Sequence, residues 1–278
     1  MKFLRLLLLS FLLIACKDKE KDFSQKNGTQ KDQGEFFVEF NPLDSTYCNK
    51  QKKEISYQYN QLINKNDFYG QFLVAKNGKI LFEDYQGFAY KEKDDKNRKD
   101  KPLHIASVSK VLTAAVILRM VDQGKIGLDD KVSKYLKGFY HDDITVRMLL
   151  NHRSGLRHYG YFIERDVKWD KSKRITNQDT LDLINSGKIH LESKPGTRFA
   201  YCNTNYSLLA LIIEKVSGMR YHEAMDKLLF KPLGMKNSFV FDDEKHHDTV
   251  SQTYKASKVR LAFDHLDLVY GDKNIYST

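Results

Sequence analysis

The sequence predicts an α/β domain (α+β in detail), with helices packed on an antiparallel sheet. Three observations carry this. Two apolar runs flank Asn77-Gly78, the strongest two-residue signal for a β-hairpin. Within a helical segment at 107–122, the run from Val111 to Leu118 is apolar nearly all round, so the helix calls for burial rather than a single buried stripe. Helical segments with start and stop signals then follow one another to about residue 230, with little further strand signal. An isolated hairpin is marginal in water, so the sheet reads as incomplete.

The elements follow in order. Residues 1–16 read as an export signal: Lys2 and Arg5 give a basic start, and Leu6 to Ile14 is an apolar run too short to span a membrane. Leu13-Ile14-Ala15-Cys16 resembles the lipobox of bacterial lipoproteins, which implies lipidation of Cys16 and an exported protein anchored to the cell envelope. Residues 17–36 are polar and charged and read as a flexible tether. The folded domain is assigned to 37–278.

Within it, 48–65 has helical spacing, with Ile55, Tyr59, Leu62 and Ile63 on one side. Residues 70–75 and 79–85 are the hairpin strands, and a charged loop follows from about Lys91 to Lys101. Helix 107–122 ends before Gly124. Thr145 caps a short helix through Leu150, 177–185 is another, and Pro195-Gly196 is a turn. Residues 206–216 form an apolar helix stopped by Ser217-Gly218, and a last helix runs from about 221 to 230 before Pro232.

Composition excludes several classes. The chain has 278 residues, 41% hydrophobic and 12% aromatic, enough for a sizeable core, and its 4 prolines and 15 glycines exclude a fibrous repeat. The net charge of +10 is not gathered into a basic stripe; Lys91-Glu92-Lys93-Asp94-Asp95-Lys96 shows the interleaving of a solvated lysine-rich surface, so no nucleic-acid partner is expected. Cys48 and Cys202 remain beside Cys16, with no Cys-x-x-Cys; whether the two pair is open. His246-His247 near Asp242 and Asp243 reads as a solvated loop rather than a metal site, and no metal or cofactor is expected.

No Gly-x-Ser-x-Gly, His-Glu-x-x-His, P-loop or dinucleotide fingerprint occurs. What remains is Ser107-Val108-Ser109-Lys110. Serine is a weak nucleophile that needs an adjacent base. At i and i+3, Ser107 and Lys110 share a helix face, Ser107 at the end that favours an oxyanion and Lys110 beside an apolar run that favours the neutral amine. Tyr201-Cys202-Asn203 supplies a phenol able to act as base near an ammonium and an amide able to bind a substrate amide. Each pattern taken singly also fits a bland reading: a capping serine and a surface lysine, or a buried tyrosine and a capping asparagine.

Together they are more specific. Ile105-Ala106-Ser107-Val108-Ser109-Lys110 resembles the nucleophile segment of class C β-lactamases and related penicillin-recognising serine hydrolases, and 195–203 resembles their Tyr-x-Asn segment. Three further stretches, 149–156, 208–218 and 231–235, match in the family order. The resemblance covers roughly 68–278 and implies a β-lactamase/transpeptidase-like fold. It also implies Ser107 as nucleophile, Lys110 and Tyr201 as proton relay, and Asn203 as substrate-orienting residue. Substrates of the family are β-lactams, D-alanyl cell-wall peptides, and simple esters or amides. The family's third motif, Lys-Thr-Gly or His-x-Gly, is expected to be missing: His158-Tyr159-Gly160 has the letters but precedes the Tyr-x-Asn segment, and 271–278 resembles a mid-domain stretch. The expectation is a hydrolase lacking its C-terminal part. The competing readings are an inactive lipoprotein that keeps the fold as a ligand-binding module, and a generic membrane-tethered interaction protein.

Overall fold

Asp44 starts the first helix: its carboxylate accepts the Tyr47 N–H, so α1 runs Ser45–Leu62, three residues ahead of the expected start. The computed structural model describes residues 39–66, 68–247, 249–255 and 257–278. The signal segment with Cys16 and the tether at 17–36 lie outside the described residues. Among the described residues, no helix is long and apolar enough to cross a membrane.

The hairpin follows, β1 (Gly70–Lys76) and β2 (Lys79–Gln86), paired antiparallel from Gly70↔Gln86 to Lys76↔Lys79. Its turn uses Asn77 at φ 47 and Gly78 at φ 71, the two left-handed residues that match the strand twist. Tyr59 of α1 packs its ring on Phe72 (4.9 Å) and Phe82 (5.2 Å), covering one face of the hairpin.

Three short strands come next: β3 (Phe88–Tyr90) paired with β4 (Asp95–Lys96), and β5 (Leu103–His104). A 3-10 turn at Ala106–Val108 leads into α2, Ser109–Asp122. The helices α3 (Val132–Tyr135), α4 (Val146–Leu150), α5 (Tyr159–Arg165) and α6 (Asn177–Asn185) follow. The Thr145 hydroxyl caps α4 as expected, and Thr176 with Asp179 forms a capping box on α6.

Helix α7 (Asn203–Ser217) is the centre of the core, and left-handed Gly218 closes it. Every residue from Thr204 to Ile213 is buried, surrounded by α2, α3, α4, α6 and α8 (Tyr221–Met225). A π-helical turn at Asp226–Phe230 replaces the end of the expected helix. The chain closes with β6 (Phe239–Val240), α9 (Asp243–His246) and β7 (Ile275–Ser277).

Two expectations need correction. First, α2 is not buried all round. Thr113, Val116, Ile117 and Met120 face the core, but Val111 (66% exposed) and Leu118 (45%) do not; the helix buried on all sides is α7. Second, the hairpin is not the whole sheet structure. A separate three-stranded antiparallel sheet has the order β5-β7-β6, with β7 in its middle. Strands of two or three residues are too short for an alternating pattern to register. Cys48 and Cys202, whose pairing the sequence leaves open, are both buried and both free thiols.

The segment read as a solvated loop holds the short helix α9 instead, and His246 is tied down locally: its Nδ1 accepts the Asp242 N–H, and its ring lies 4.3 Å from Phe239.

His104 of β5 stacks on Tyr276 of β7 at 5.2 Å, tying the two strands by their rings. Burial, then the Lys273 charge, pushes the imidazole from its ordinary 6.5 down to about 4. A depressed folded value means that the unfolded chain binds the proton first as pH falls. The stabilisation is therefore full above pH 6.5 and lost as pH falls toward 4. The urea midpoint is expected to fall across that window. His104→Gln should flatten part of the fall, while an unchanged pH dependence in that variant would remove His104 from the account.

Candidate active site

Ser107 sits in the 3-10 turn between β5 and α2, two residues before the α-helix begins, rather than opening that helix. Its predecessor Ala106 has φ 45, a left-handed conformation costly for a residue with a Cβ. That bend presents the Ser107 side chain at the surface while Ser109 and Lys110 turn inward. The Ile105 N–H donates to the Ile275 carbonyl (3.0 Å), so β7 braces the bend from behind.

Lys110 follows one turn later and is buried. Its Nζ donates to Ser107 Oγ (3.2 Å) and to the Asp272 carbonyl (2.8 Å). It also stands 5.0 Å above the Tyr201 ring and 5.8 Å above the Tyr206 ring. The Tyr201 hydroxyl reaches the same oxygen from the other side, donating to Ser107 Oγ at 2.9 Å across 94 residues of sequence. The structure thus brings Ser107, Lys110 and Tyr201 together, as the spacing of the first pair and the order of the motifs predict.

Asn203 opens α7 beside them, half-buried. Burial raises the Tyr159 phenol well above its ordinary value, the nearby Asn203 side chain opposing the rise, and Asn203 Oδ1 is buried without a hydrogen-bond donor. Tyr159 in turn donates to Asp272 Oδ2 (2.9 Å). No local signal in the sequence marks the Tyr159–Asp272 pair. His158, the first residue of the misplaced His158-Tyr159-Gly160, serves another purpose: its Nδ1 caps α5 by accepting the Gly160 N–H. Asp272 is fully buried, and burial pushes its carboxyl upward against the pull of Lys273 and Lys110.

Apart from Lys273, the titratable groups around the amine are kept from adding positive charge. Burial, then the Lys110 charge, holds both His152 and His158 below the ordinary imidazole range. Burial raises the Tyr206 phenol and the Cys202 thiol, so both stay neutral at pH 7. A buried amine and an exposed phenol on one serine oxygen, walled by neutral aromatic groups, can take a proton from the hydroxyl and return it to a leaving group.

The fold and this cluster are of the kind found in penicillin-recognising proteins. The chain belongs to the β-lactamase family, whose sequence model, described as Beta-lactamase, matches residues 69–278. It is 36% identical over 194 residues to penicillin-binding protein 4* of Bacillus subtilis (strain 168), covering 69% of this chain and 42% of that protein. It is 31% identical to the protein flp of Staphylococcus aureus (strain MW2), covering 67% of this chain and 35% of that protein. The chain therefore spans about two fifths or less of the length of these relatives. Among solved structures, a penicillin-binding protein from Bacillus halodurans superposes with TM-score 0.67 at 26% identity, over 79% of this chain and 68% of that one. A class C β-lactamase shares the fold at TM-score 0.68 and 23% identity, over 82% and 61% of the two chains.

Gly271 makes the close approach of 271–275 to the site workable. It has φ 95, and a Cβ there would overlap the Tyr206 carbonyl and the Ala210 Cβ on α7. Gly271→Ala combines left-handed strain with overpacking and should destabilise the domain by about 2 kcal/mol or more. Chemical denaturation measures it; a midpoint equal to that of the unsubstituted protein would contradict this account of the approach.

Proposed function

We propose that this chain carries the nucleophile site of a serine hydrolase that works through an acyl-enzyme. The single observation behind the reading is that Lys110 Nζ and Tyr201 OH converge on Ser107 Oγ at 3.2 and 2.9 Å. The oxygen attacks a carbonyl carbon and forms an ester bond. The hydroxyl proton passes to the Lys110–Tyr201 pair and from there to the departing nitrogen or oxygen of the substrate. Water then attacks the ester, gives its proton to the same pair, and Ser107 recovers a proton as the acid leaves. Phenol and serine hydroxyl hydrogens rotate freely, so Tyr201 donates to Ser107 at rest and accepts from it once ionised.

Substrates of this reading are β-lactams, D-alanyl peptides, and simple esters or amides. All present a carbonyl with a leaving group, and the amide-bearing ones suit Asn203, whose buried Oδ1 still lacks a donor. A substrate N–H is the chemistry that oxygen lacks.

The test is covalent labelling with a fluorescent penicillin and, separately, a fluorophosphonate, read by intact mass and peptide mapping. Adduct is expected on Ser107 and absent from Ser107→Ala. Lys110→Ala and Tyr201→Phe should slow its formation by ~10²-fold or more. Adduct persisting in Ser107→Ala would place the nucleophile elsewhere. No adduct with either reagent would favour a ligand-binding module that keeps the fold without the reaction.

A further inference from the structure

The segment that carries Tyr201 is held on both flanks by one residue, His152. The Ala200 N–H donates to the His152 carbonyl (2.8 Å), and the Cys202 N–H donates to His152 Nδ1 (3.1 Å). Between these two bonds the imidazole faces the Tyr201 ring, with centroids 4.6 Å apart and planes 40° apart. The same imidazole lies 5.2 Å from the Tyr206 ring and meets the edge of Phe199 at 5.8 Å. His152 itself follows α4 with φ 57, a left-handed residue that turns the chain so that its carbonyl and its ring point at one neighbour.

The bonding specifies which nitrogen carries the proton. Asn205 Nδ2 also approaches His152 Nδ1, at 3.3 Å. The amide cannot be reversed without loss, because Asn205 Oδ1 accepts the Ser154 hydroxyl (2.6 Å), whose oxygen in turn accepts the Leu156 N–H (3.1 Å). Two donors therefore converge on Nδ1, which must be an acceptor, and the neutral ring keeps its proton on Nε2. A proton on Nδ1 would face the Cys202 N–H and the Asn205 amide donor to donor and break both bonds.

We propose that His152 is a positioning residue that holds the Tyr201 hydroxyl on Ser107 Oγ while its imidazole is neutral and releases it when the imidazole is protonated. The proposal rests on Tyr201 acting as the proton relay of the preceding section. The groups facing the imidazole are consistent with a single acid-sensitive switch. Lys110 of α2 adds positive charge that opposes protonation after burial has done so, and Tyr201 and Tyr206 contribute phenols. Cys202 contributes a buried thiol held neutral, and Asn205 and Ser154 contribute uncharged groups. Among these, His152 is the group that changes charge on the acid side of neutrality. Because it is held below its ordinary range, the neutral, holding form is present at pH 7 and lost as pH falls below that range.

Two variants of the full chain separate acceptor from ring. His152→Asn puts an acceptor near the Nδ1 position, tolerates a left-handed φ and does not titrate. His152→Phe keeps an aromatic ring beside Tyr201 and offers no acceptor. Two readouts are followed from pH 4 to 8: the hydrogen-exchange protection of the Cys202 amide, and the rate of Ser107 labelling by the fluorophosphonate. In the unsubstituted protein, amide protection and labelling rate should fall together in acid. His152→Asn should keep the amide protected across the range and lose the acid limb of the labelling profile. His152→Phe should leave the amide unprotected at every pH and label ~10–10²-fold more slowly, the scale expected for a displaced catalytic group. If His152→Phe does not fold, the His152→Asn comparison decides alone. An acid response of protection that survives in His152→Asn overturns the proposal, as does a Cys202 amide that stays protected in a folded His152→Phe. Absence of labelling in the unsubstituted protein would sink the relay reading, while amide protection would still decide whether His152 holds and releases the Tyr201 segment.

Discussion

The passage of residues 271–277 across the start of α2 is the interaction on which the rest of the site depends. Four contacts follow one stretch of chain. The Ile105 N–H bonds the Ile275 carbonyl, Ser109 Oγ accepts the Ile275 N–H, Lys110 Nζ bonds the Asp272 carbonyl, and the Thr113 hydroxyl bonds the Gly271 carbonyl. Residues 109, 110 and 113 face the same side of the helix start, so a strand laid across it can satisfy all of them. Lys110 gains most. A buried amine with one partner would be left with unmet donors, a cost of about 1–3 kcal/mol for each buried group. The Asp272 carbonyl fills that role and aims the nitrogen at Ser107.

A second layer of hydrogen bonds keeps this arrangement rigid. Thr113 also meets the Tyr221 hydroxyl at 2.7 Å, and Tyr221 stacks on Tyr270 at 5.0 Å. Tyr270 bonds Glu214, which also accepts the Tyr221 N–H. Burial raises both phenols well above the ordinary tyrosine range, so they remain hydrogen-bonding groups rather than anions. The only carboxyl joined to this segment that is fully buried among the described residues, Asp272, is itself pushed toward its neutral form and held by Tyr159. The direct partners of the Lys110 amine are thus uncharged, a setting in which a proton can move over a short path.

What could be read in the sequence was what is local. The Asn77-Gly78 turn, the Thr145 cap, the 177–185 helix and the Gly218 stop each depend on a few neighbouring residues, and each formed where expected. Ser107 and Lys110 were legible because one helical turn brings them together whatever the tertiary structure does. Tyr201 was legible only through the order of motifs, since nothing local says that it lies on Ser107. Asp272, Tyr159 and His152 were not read as site residues. Their partners lie 162, 113 and 50 residues away, joined by a backbone carbonyl, a buried phenol and an imidazole that has no motif of its own. The same distance hid β5, β6 and β7, whose pairing is set by tertiary contact and not by any alternation within two or three residues.

The central claim is that Lys110 and Tyr201 act on Ser107 as one unit rather than as two independent helpers. A double-mutant cycle on the rate of Ser107 acylation measures this directly, using Lys110→Ala, Tyr201→Phe and the pair combined. Groups that share one proton path are strongly non-additive. The account predicts that the double variant acylates little more slowly than the slower single variant. A double variant whose loss equals the product of the two single losses would contradict it.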